Sequence, residues 1–205
     1  MRRSEAKQRT EEQIARAAAE LFAVQGVART TVEQIAQLAG VSERTFFRYF
    51  PTKEDAVLSY IWLRADEVRA ALRDRPAHES LADAFLAAVR ATTSPDHEAV
   101  ERDRAMLRLL RDTPTLRARW LVAGWETAAS FVPLVADRLE LDPSSLLARV
   151  STNALFVAVQ TALEAEADGS YTFEVALESA VRMLESGAGL GFRPTTGQEG
   201  SPRSG

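Results

Sequence analysis

Arg44 and Arg48 lie four residues apart, and they are the residues of this sequence best suited to bind a specific partner. A guanidinium group donates several hydrogen bonds in one plane, which suits it to a guanine edge or to phosphate oxygens. Thr45 adds a hydroxyl between them. Phe46 and Phe50 are also four residues apart, and at about 100° per residue a helix that buries these rings directs both arginines to its opposite side. The pattern predicts an exposed cationic helix face that fits the major groove of duplex DNA.

Two short helices joined by a tight reversal are predicted to hold this face. The first begins after Thr31, whose hydroxyl caps the free amides while Gln34 reaches back to the cap, and it ends at Gly40. Ser42 caps the second helix, and Pro51 prevents it from continuing. Helix, turn and helix is the unit by which many proteins place one helix in the major groove.

Residues 9–53 resemble the N-terminal domain of the TetR family of transcriptional regulators, because caps, turn and apolar positions coincide along the whole signature. The coinciding positions are Thr30, Thr31, Val32, Ile35, Ala36, Ala39, Gly40, Val41, Ser42, Thr45, Phe46, Phe47, Tyr49, Phe50 and Lys53. The resemblance implies an all-α protein of about nine helices, with a DNA-binding head and a helical body that binds a ligand and dimerises. It implies no enzymatic activity, no cofactor and no metal.

The resemblance also implies roles for individual side chains in the head. Thr31 is expected to contact a phosphate through its hydroxyl and backbone amide, and Lys53 to bind a phosphate at the start of the fourth helix. Arg44 and Thr45 are expected to face base edges, with Arg44 able to bind a guanine through two hydrogen bonds. Ser42 belongs to the same predicted DNA-binding set.

Phe47 departs from the family pattern, and the nearby Tyr49 is able to compensate. Phe47 replaces the usual tyrosine, so one phosphate contact is lost, although its ring is able to pack on a sugar or a thymine methyl group. Tyr49 stands where histidine or tyrosine is frequent, and its hydroxyl can restore a phosphate bond. Arg48 completes the predicted DNA-binding residues, with an ordinary solvated arginine as the alternative interpretation.

Charge is distributed unevenly along the chain. The sequence has 25 Lys and Arg against 29 Asp and Glu, a net charge of −4. Residues 1–53 carry nine Lys or Arg and six Asp or Glu, a net +3, so the remainder carries −7. A basic head on an acidic body suits phosphate binding, which depends on local charge. Arg2, Arg3 and Lys7 either take part in this contact or form a tail without a defined role.

The apolar spacing is helical almost throughout and predicts three regions. Residues 1–53 form the DNA-binding domain, residues 54–186 the ligand-binding and dimerisation domain, and residues 187–205, rich in Gly and Pro, a disordered tail. Helices are expected at about 11–25, 32–39, 43–50, 53–73, 79–91, 95–111, 114–139, 143–167 and 171–185. Asp142 and Pro143 are the predicted start signal of the eighth. The chain has no cysteine and shows no signal-peptide core, which favours a cytoplasmic protein without membrane contact.

Large side chains in the body predict an apolar ligand cavity. The candidate lining residues are Trp62, Phe85, Met106, Leu110, Trp120, Trp125, Phe156 and Gln160. The alternative is that these rings simply fill the core. Residues 113–143 are loosely similar to the C-terminal domains of TetR regulators associated with acyl-CoA-like ligands, which implies an effector of that kind. Arg104, Arg108 and Arg111 share one helix face, for which pairing with neighbouring carboxylates is the favoured interpretation.

The last two helices are apolar on more than one side, which predicts that a second copy of the chain covers them. The candidate interface residues are Leu155, Val159, Phe173, Leu177, Val181 and Leu184. In the family these two helices form a four-helix seam. A twofold dimer holds its two recognition helices roughly 34–36 Å apart and reads a palindromic operator.

Two other functions were weighed against a ligand-released repressor. An all-helical enzyme lacks a reactive constellation, since His78 and His97 are not preceded by a glutamate at the spacing of a di-iron helix motif. An activator, or a regulator that needs no ligand, is compatible with the same fold and stays open.

Overall fold

The structure is a computed structural model that describes residues 2–93 and 97–187, with side chains for residues 6–60, 63–93 and 100–187. These residues form nine α-helices and no strand. The helices are α1 (Arg2–Arg29), α2 (Val32–Leu38), α3 (Glu43–Tyr49), α4 (Lys53–Arg73), α5 (Leu81–Thr92), α6 (His97–Asp112), α7 (Pro114–Arg138), α8 (Leu146–Asp168) and α9 (Phe173–Glu185). The predicted all-α architecture is confirmed. Of the predicted tail, residues 188–205 lie outside the described residues.

The two short helices of the head form where their caps predict. The Thr31 hydroxyl oxygen accepts from the Gln34 amide at 3.2 Å, and Gln34 Oε1 accepts from the Thr31 amide at 3.0 Å. Ser42 Oγ accepts from the Thr45 amide at 3.1 Å and so caps α3. Gly40 has φ +68°, a left-handed conformation that side chains with a Cβ disfavour, and this lets the chain reverse between the helices.

A second glycine shapes the corner between α1 and α2. Gly26 has φ 78° and ψ 168°, which only glycine adopts readily, and it interrupts α1 close to the end predicted at Gln25. Thr30 is buried there, and its hydroxyl donates to the Gly26 carbonyl at 2.8 Å. The corner that feeds the helix-turn-helix is therefore fixed by hydrogen bonds as well as by packing.

Two buried clusters hold the molecule together, and α4 contributes to both. The first contains Phe22 of α1, Phe46 of α3 and Val57 of α4, together with Met106 and Trp120 from α6 and α7. The second joins the end of α4 to α5, α7, α8 and α9. Because residues of the body belong to the first cluster, the N-terminal head is packed directly onto the body.

Side-chain caps set the starts of three body helices, and at α8 the cap differs from the predicted one. Asp142 and Pro143 do not start α8. The helix begins at Leu146, where Ser145 Oγ accepts from the Ala148 amide at 3.2 Å. Asp142 instead accepts from the Ser144 hydroxyl and backbone amide, and these bonds hold the Asp142 pKa below its usual range. Similarly, Ser80 caps α5 and Thr172 caps α9, and the start predicted for α6 at Pro95 lies outside the described residues.

Helix α8 is the only described helix that is long and apolar enough to cross a membrane, judged by length and composition alone. It packs on α6, α7 and α9, yet only 28% of its most apolar 18-residue stretch is buried within the chain. The exposed apolar part of this helix needs a separate explanation.

Candidate DNA-binding surface and ligand cavity

Helix α3 has one buried side and one exposed side, in the orientation that the sequence predicts. Phe46 is fully buried and Phe50 is 5% exposed, whereas Arg44 and Arg48 are exposed and the Phe47 ring is 55% exposed. The Phe46 ring meets Phe47 edge-on at 5.5 Å between centroids and lies 6.0 Å from Phe50. These ring contacts fix the rotation of the helix about its own axis, and hence the direction of both arginines.

Ser42 and Thr45 form a coupled pair at the start of α3. Ser42 Oγ accepts from the Thr45 amide and donates its own hydrogen to the Thr45 hydroxyl oxygen at 3.0 Å. The Thr45 hydroxyl hydrogen is thereby left to point at an outside acceptor, such as a base edge or a phosphate. Ser42 therefore caps α3 and orients the Thr45 side chain.

Tyr49 and Arg48 lie against each other at the end of α3. The Arg48 guanidinium carbon is 5.3 Å from the centre of the Tyr49 ring, within the range of a cation–π contact. The contact gives the exposed Arg48 side chain a partner within its own helix.

Thr31 and Lys53 already have partners inside the protein. The backbone amide of Thr31 donates to Gln34, so only its hydroxyl hydrogen remains for a phosphate. The Lys53 ammonium donates to the Val27 and Thr30 carbonyls at 2.6 and 2.7 Å, which ties the start of α4 to the end of α1. An ammonium group has three donors, and one of them is left for a phosphate.

A cavity of about 260 Å³ lies between α4 and the helices of the body. Six aromatic rings contribute to its wall, namely Tyr60, Phe85, Trp120, Phe131, Phe156 and Phe173. The Phe131 and Phe156 rings pack edge to face at 5.3 Å between centroids. A mostly apolar, ring-lined space with a few polar groups is the usual character of a small-molecule site.

Charged side chains in the cavity wall come in matched pairs. The Tyr60 hydroxyl donates to Asp103 at 2.7 Å, and Arg64 lies 3.8 Å from the same carboxylate. Burial, and then the neighbouring Asp103 charge, raise the pKa of the Tyr60 phenol above its usual value. Arg104 forms an ion pair with Glu166, whose other oxygen accepts from the backbone amide at the start of α9.

The predicted cavity residues divide into three groups. Phe85, Met106, Trp120, Phe156 and Gln160 line the cavity. Leu110 is buried in the cluster beneath the head and does not line it, and Trp125 is 64% exposed on the surface of α7, because the helix turns its ring away from the core. The side chain of Trp62 lies outside the described residues.

The predicted dimer residues are mostly occupied within a single chain. Leu155, Leu177 and Val181 are at least 94% buried in the second cluster, so they have no surface left for a partner. Val159 and Phe173 line the cavity, and Leu184 packs against the same cluster. The exposed apolar residues of the last two helices are instead Leu146, Leu147, Val150, Val157, Val175 and Met183. The sequence pattern indicates that α8 and α9 each have two apolar faces. Only the packing of the helices shows which face is buried within the chain.

Two contacts that tie α4 to the body were not foreseen. Arg119 of α7 pairs with Asp55, a member of the Thr52 capping box at the start of α4. At the other end, Arg138 donates to the Leu72 and Arg75 carbonyls at 2.9 and 2.7 Å. Arginine pairing between distant helices has no local sequence signal, which is why the sequence did not indicate it. The carboxylate pairing predicted for Arg104 and Arg111 is present.

The chain matches two known protein families over most of its length. Residues 14–59 match the family described as bacterial regulatory proteins, tetR family, and residues 76–189 match the MftR C-terminal domain. It is 36% identical over 189 residues to the HTH-type transcriptional regulator TcmR of Streptomyces glaucescens, covering 83% of this chain and 82% of that protein.

Solved structures share the fold. A TetR-family transcriptional regulator from Rhodococcus sp. superimposes with a TM-score of 0.60 at 18% identity, over 87% of this chain and 98% of that one. The TetR-family repressor FadR of Thermus thermophilus, solved with lauroyl-CoA, superimposes with a TM-score of 0.51 at 26% identity, over 91% and 99%. These matches place the chain among transcriptional regulators and not among enzymes. The chain belongs to the TetR family of transcriptional regulators, with a helix-turn-helix DNA-binding domain at its N-terminus.

Proposed function

We propose that this chain is a dimeric, cytoplasmic repressor that binds a palindromic operator and leaves it when a small effector enters the cavity. Residues 1–53 bind DNA, and residues 54–186 bind the effector and dimerise. The observation that supports this best is the exposed face of Arg44, Phe47 and Arg48 opposite the buried Phe46. A face of this kind in a basic head has the chemistry needed to read base edges and hold phosphates.

The dimer is supported by the uncovered apolar stripe of the last two helices. Val150 and Val157 on α8 are 53% and 60% exposed, and Val175 and Met183 on α9 are 53% and 58% exposed. Several exposed apolar side chains on two packed helices form a patch that water disfavours and that a second copy can cover by twofold symmetry. This stripe replaces the buried residues that the sequence alone suggested.

The release of the protein from DNA is explained by the position of α4, which begins at the head and lines the cavity. Tyr60 and Arg64 face the cavity, and Lys53 lies seven residues before Tyr60, about 10 Å along a helix. An effector that prefers a different position of α4 shifts the population toward a spacing of recognition helices that no longer fits two successive grooves.

An acyl-CoA-like effector finds partial support. The Thermus repressor was solved with lauroyl-CoA, and an acyl chain suits an apolar cavity. The cavity volume of about 260 Å³ is small for a whole coenzyme A thioester, and the wall arginines are already paired. We expect an acyl group to fit inside only if the nucleotide part stays outside.

The proposal is tested by a gel shift with the protein and palindromic fragments from its own promoter, at low ionic strength. Specific binding is expected at concentrations far below those needed for random DNA. A footprint at that promoter and reporter output after deletion of the gene distinguish a repressor, whose loss raises expression, from an activator, whose loss lowers it. Absence of any shift would contradict the DNA-binding assignment.

A further inference from the structure

Gln160 lines the cavity, and its side-chain carbonyl oxygen is a buried acceptor to which no described residue donates a hydrogen bond. This oxygen is buried in the wall, where an acceptor without a donor is costly. The hydroxyl hydrogens of Thr92 and Thr93, elsewhere in the wall, are already donated to the Val89 carbonyl at 2.9 and 3.0 Å. The Gln160 oxygen is therefore the buried acceptor of this wall that lacks a donor.

Charge balance in the wall restricts the ligand further. Arg64 lies between Asp103 at 3.8 Å and Glu67 at 3.6 Å. Arg104 pairs with Glu166 and, at 2.7 Å, with Glu101. An anionic ligand would have to break these pairs to gain an arginine, and a cationic ligand would have to break them to gain a carboxylate. The larger cost is that of the Arg104–Glu166 pair, because the Glu166 side chain is only 8% exposed, whereas the side chains of the Arg64 pairs are 31–42% exposed.

Gly124 gives Gln160 the room to lie where it does. It is buried within α7 and lines the cavity, and a Cβ at this position would lie 3.3 Å from Gln160 Nε2. Glycine inside a helix is disfavoured relative to alanine, so its presence here goes against local preference. Such departures concentrate at functional sites.

We infer that the effector is a net-neutral molecule with an apolar, ring-sized body that donates one hydrogen bond, from a hydroxyl or N–H group, to Gln160 Oε1. The inference rests on the proposed effector-binding function and specifies its ligand. Gln160 is then the residue that determines specificity, while the surrounding rings bind the apolar body of the ligand whether or not it carries a donor.

Calorimetric titration of the full chain tests this with three matched probes, 2-naphthol, 2-methoxynaphthalene and 2-naphthoate, and with lauroyl-CoA. The wild type is expected to bind 2-naphthol about fivefold to tenfold more tightly than the methoxy compound, because only the hydroxyl donates. Gln160→Met keeps the approximate volume and is expected to reduce this preference to nearly one. Gln13→Met makes the same change at an exposed position of α1 and is expected to leave it intact.

Several outcomes would overturn the inference. They are an unchanged preference in Gln160→Met, tighter binding of 2-naphthoate or lauroyl-CoA than of 2-naphthol, and no binding of either neutral probe at millimolar concentration. Circular dichroism establishes that each variant is folded. Gly124→Ala gives a second test, since crowding of Gln160 is expected to weaken 2-naphthol more than the methoxy compound.

The same preparations, without probe, are assayed for operator binding. If the protein binds the operator but does not prefer 2-naphthol over the methoxy compound, the inferred ligand class is wrong and the proposed regulatory function still stands. If the protein prefers 2-naphthol but does not bind the operator, the proposed function is wrong and the inferred ligand site still stands.

Discussion

Arg44 and Phe47 show how the burial of one side chain determines what its neighbours present to DNA. Phe46 is fully buried, and this sets the rotation of α3 so that Arg44 and Phe47 emerge on the other side. The arginine offers paired donors to a guanine, and the exposed ring offers an apolar surface to a thymine methyl group or a sugar. We therefore expect the two residues to carry different parts of DNA recognition, and each gives its own prediction.

Arg44→Ala is expected to remove discrimination at one base pair, at a cost of about 1–3 kcal/mol, while affinity for random DNA changes little. The measurement is the dissociation constant for the operator and for a single-base-pair variant of it. Arg73→Ala is the control, because it makes the same charge change at an exposed position at the end of α4. Equal loss on specific and random DNA would refute the base-reading role.

Phe47→Tyr restores the hydroxyl that is usual at this position in the family. It is expected to strengthen binding to all DNA sequences alike, because the new contact goes to a phosphate and not to a base. Parallel gel shifts on operator and random DNA measure this. A gain confined to the operator would instead indicate a base contact.

Tyr60 makes a prediction about pH. Burial and the Asp103 charge raise its pKa in the folded state, so its contribution to stability is complete below about pH 10 and is lost as the pH rises through the folded-state pKa. We expect the free energy of unfolding to fall more steeply above pH 10 in the wild type than in Tyr60→Phe. Tyr171→Phe, at a ring that is 62% exposed, is expected to follow the wild type. Identical slopes in all three proteins would contradict the assignment.

Helix α4 is the element that connects the two halves of the molecule. Lys53 ties its first turn to the end of α1, Arg119 contacts its capping box, and Arg138 closes its last turn. Between these ends it lines the cavity with Tyr60 and Arg64. Because α4 contacts both the cavity and the head, we expect a displacement in the cavity to reach the head.

Lys53→Met tests the anchor. The loss of two charge-assisted hydrogen bonds is expected to lower the free energy of unfolding by about 1.5–3 kcal/mol, measured by urea denaturation. If the third donor also binds a phosphate, operator affinity falls and the slope of its logarithm against the logarithm of salt concentration becomes smaller by about one.

Lys7→Met is the matched control for Lys53→Met, since Lys7 is the other lysine of the chain and is exposed. It is expected to leave stability unchanged. Loss of DNA binding in Lys53→Met without loss of stability would show that the ammonium acts on phosphate alone.

At the scale of the whole molecule, the uncovered stripe of α8 and α9 is the feature that a single chain does not explain. One face of α8 fills the second cluster, and the opposite face keeps Val150 and Val157 in water. Two half-sites of a palindrome need two heads at a fixed separation, and the proposed symmetric seam along these helices would supply it.

Val157→Glu is expected to shift the protein from dimer to monomer, because two carboxylates would meet at or near the twofold axis in an apolar seam. Sedimentation measures the mass, and a gel shift measures the accompanying loss of operator affinity. Val24→Glu is the control, since Val24 is 79% exposed on α1 and lies outside the stripe. An unchanged mass for Val157→Glu would exclude this surface as the interface.

The sequence by itself determined the features that depend on neighbours within a few residues. Caps at Thr31 and Ser42 define the ends of short helices, and the spacing of Phe46 and Phe50 defines the buried side of α3. These are local effects of backbone hydrogen bonding and helical periodicity, which is why the head was predictable in detail.

Only the tertiary structure decided which apolar residues serve which purpose. Leu177, Val181 and Trp125 have apolar side chains like those expected at a dimer seam or in a cavity wall, yet the first two are buried and the third faces solvent. The Arg119 pair and the unpaired oxygen of Gln160 depend on residues far apart in the chain. An apolar side chain favours burial because of its hydrophobicity, but which residues bury it depends on how distant helices pack.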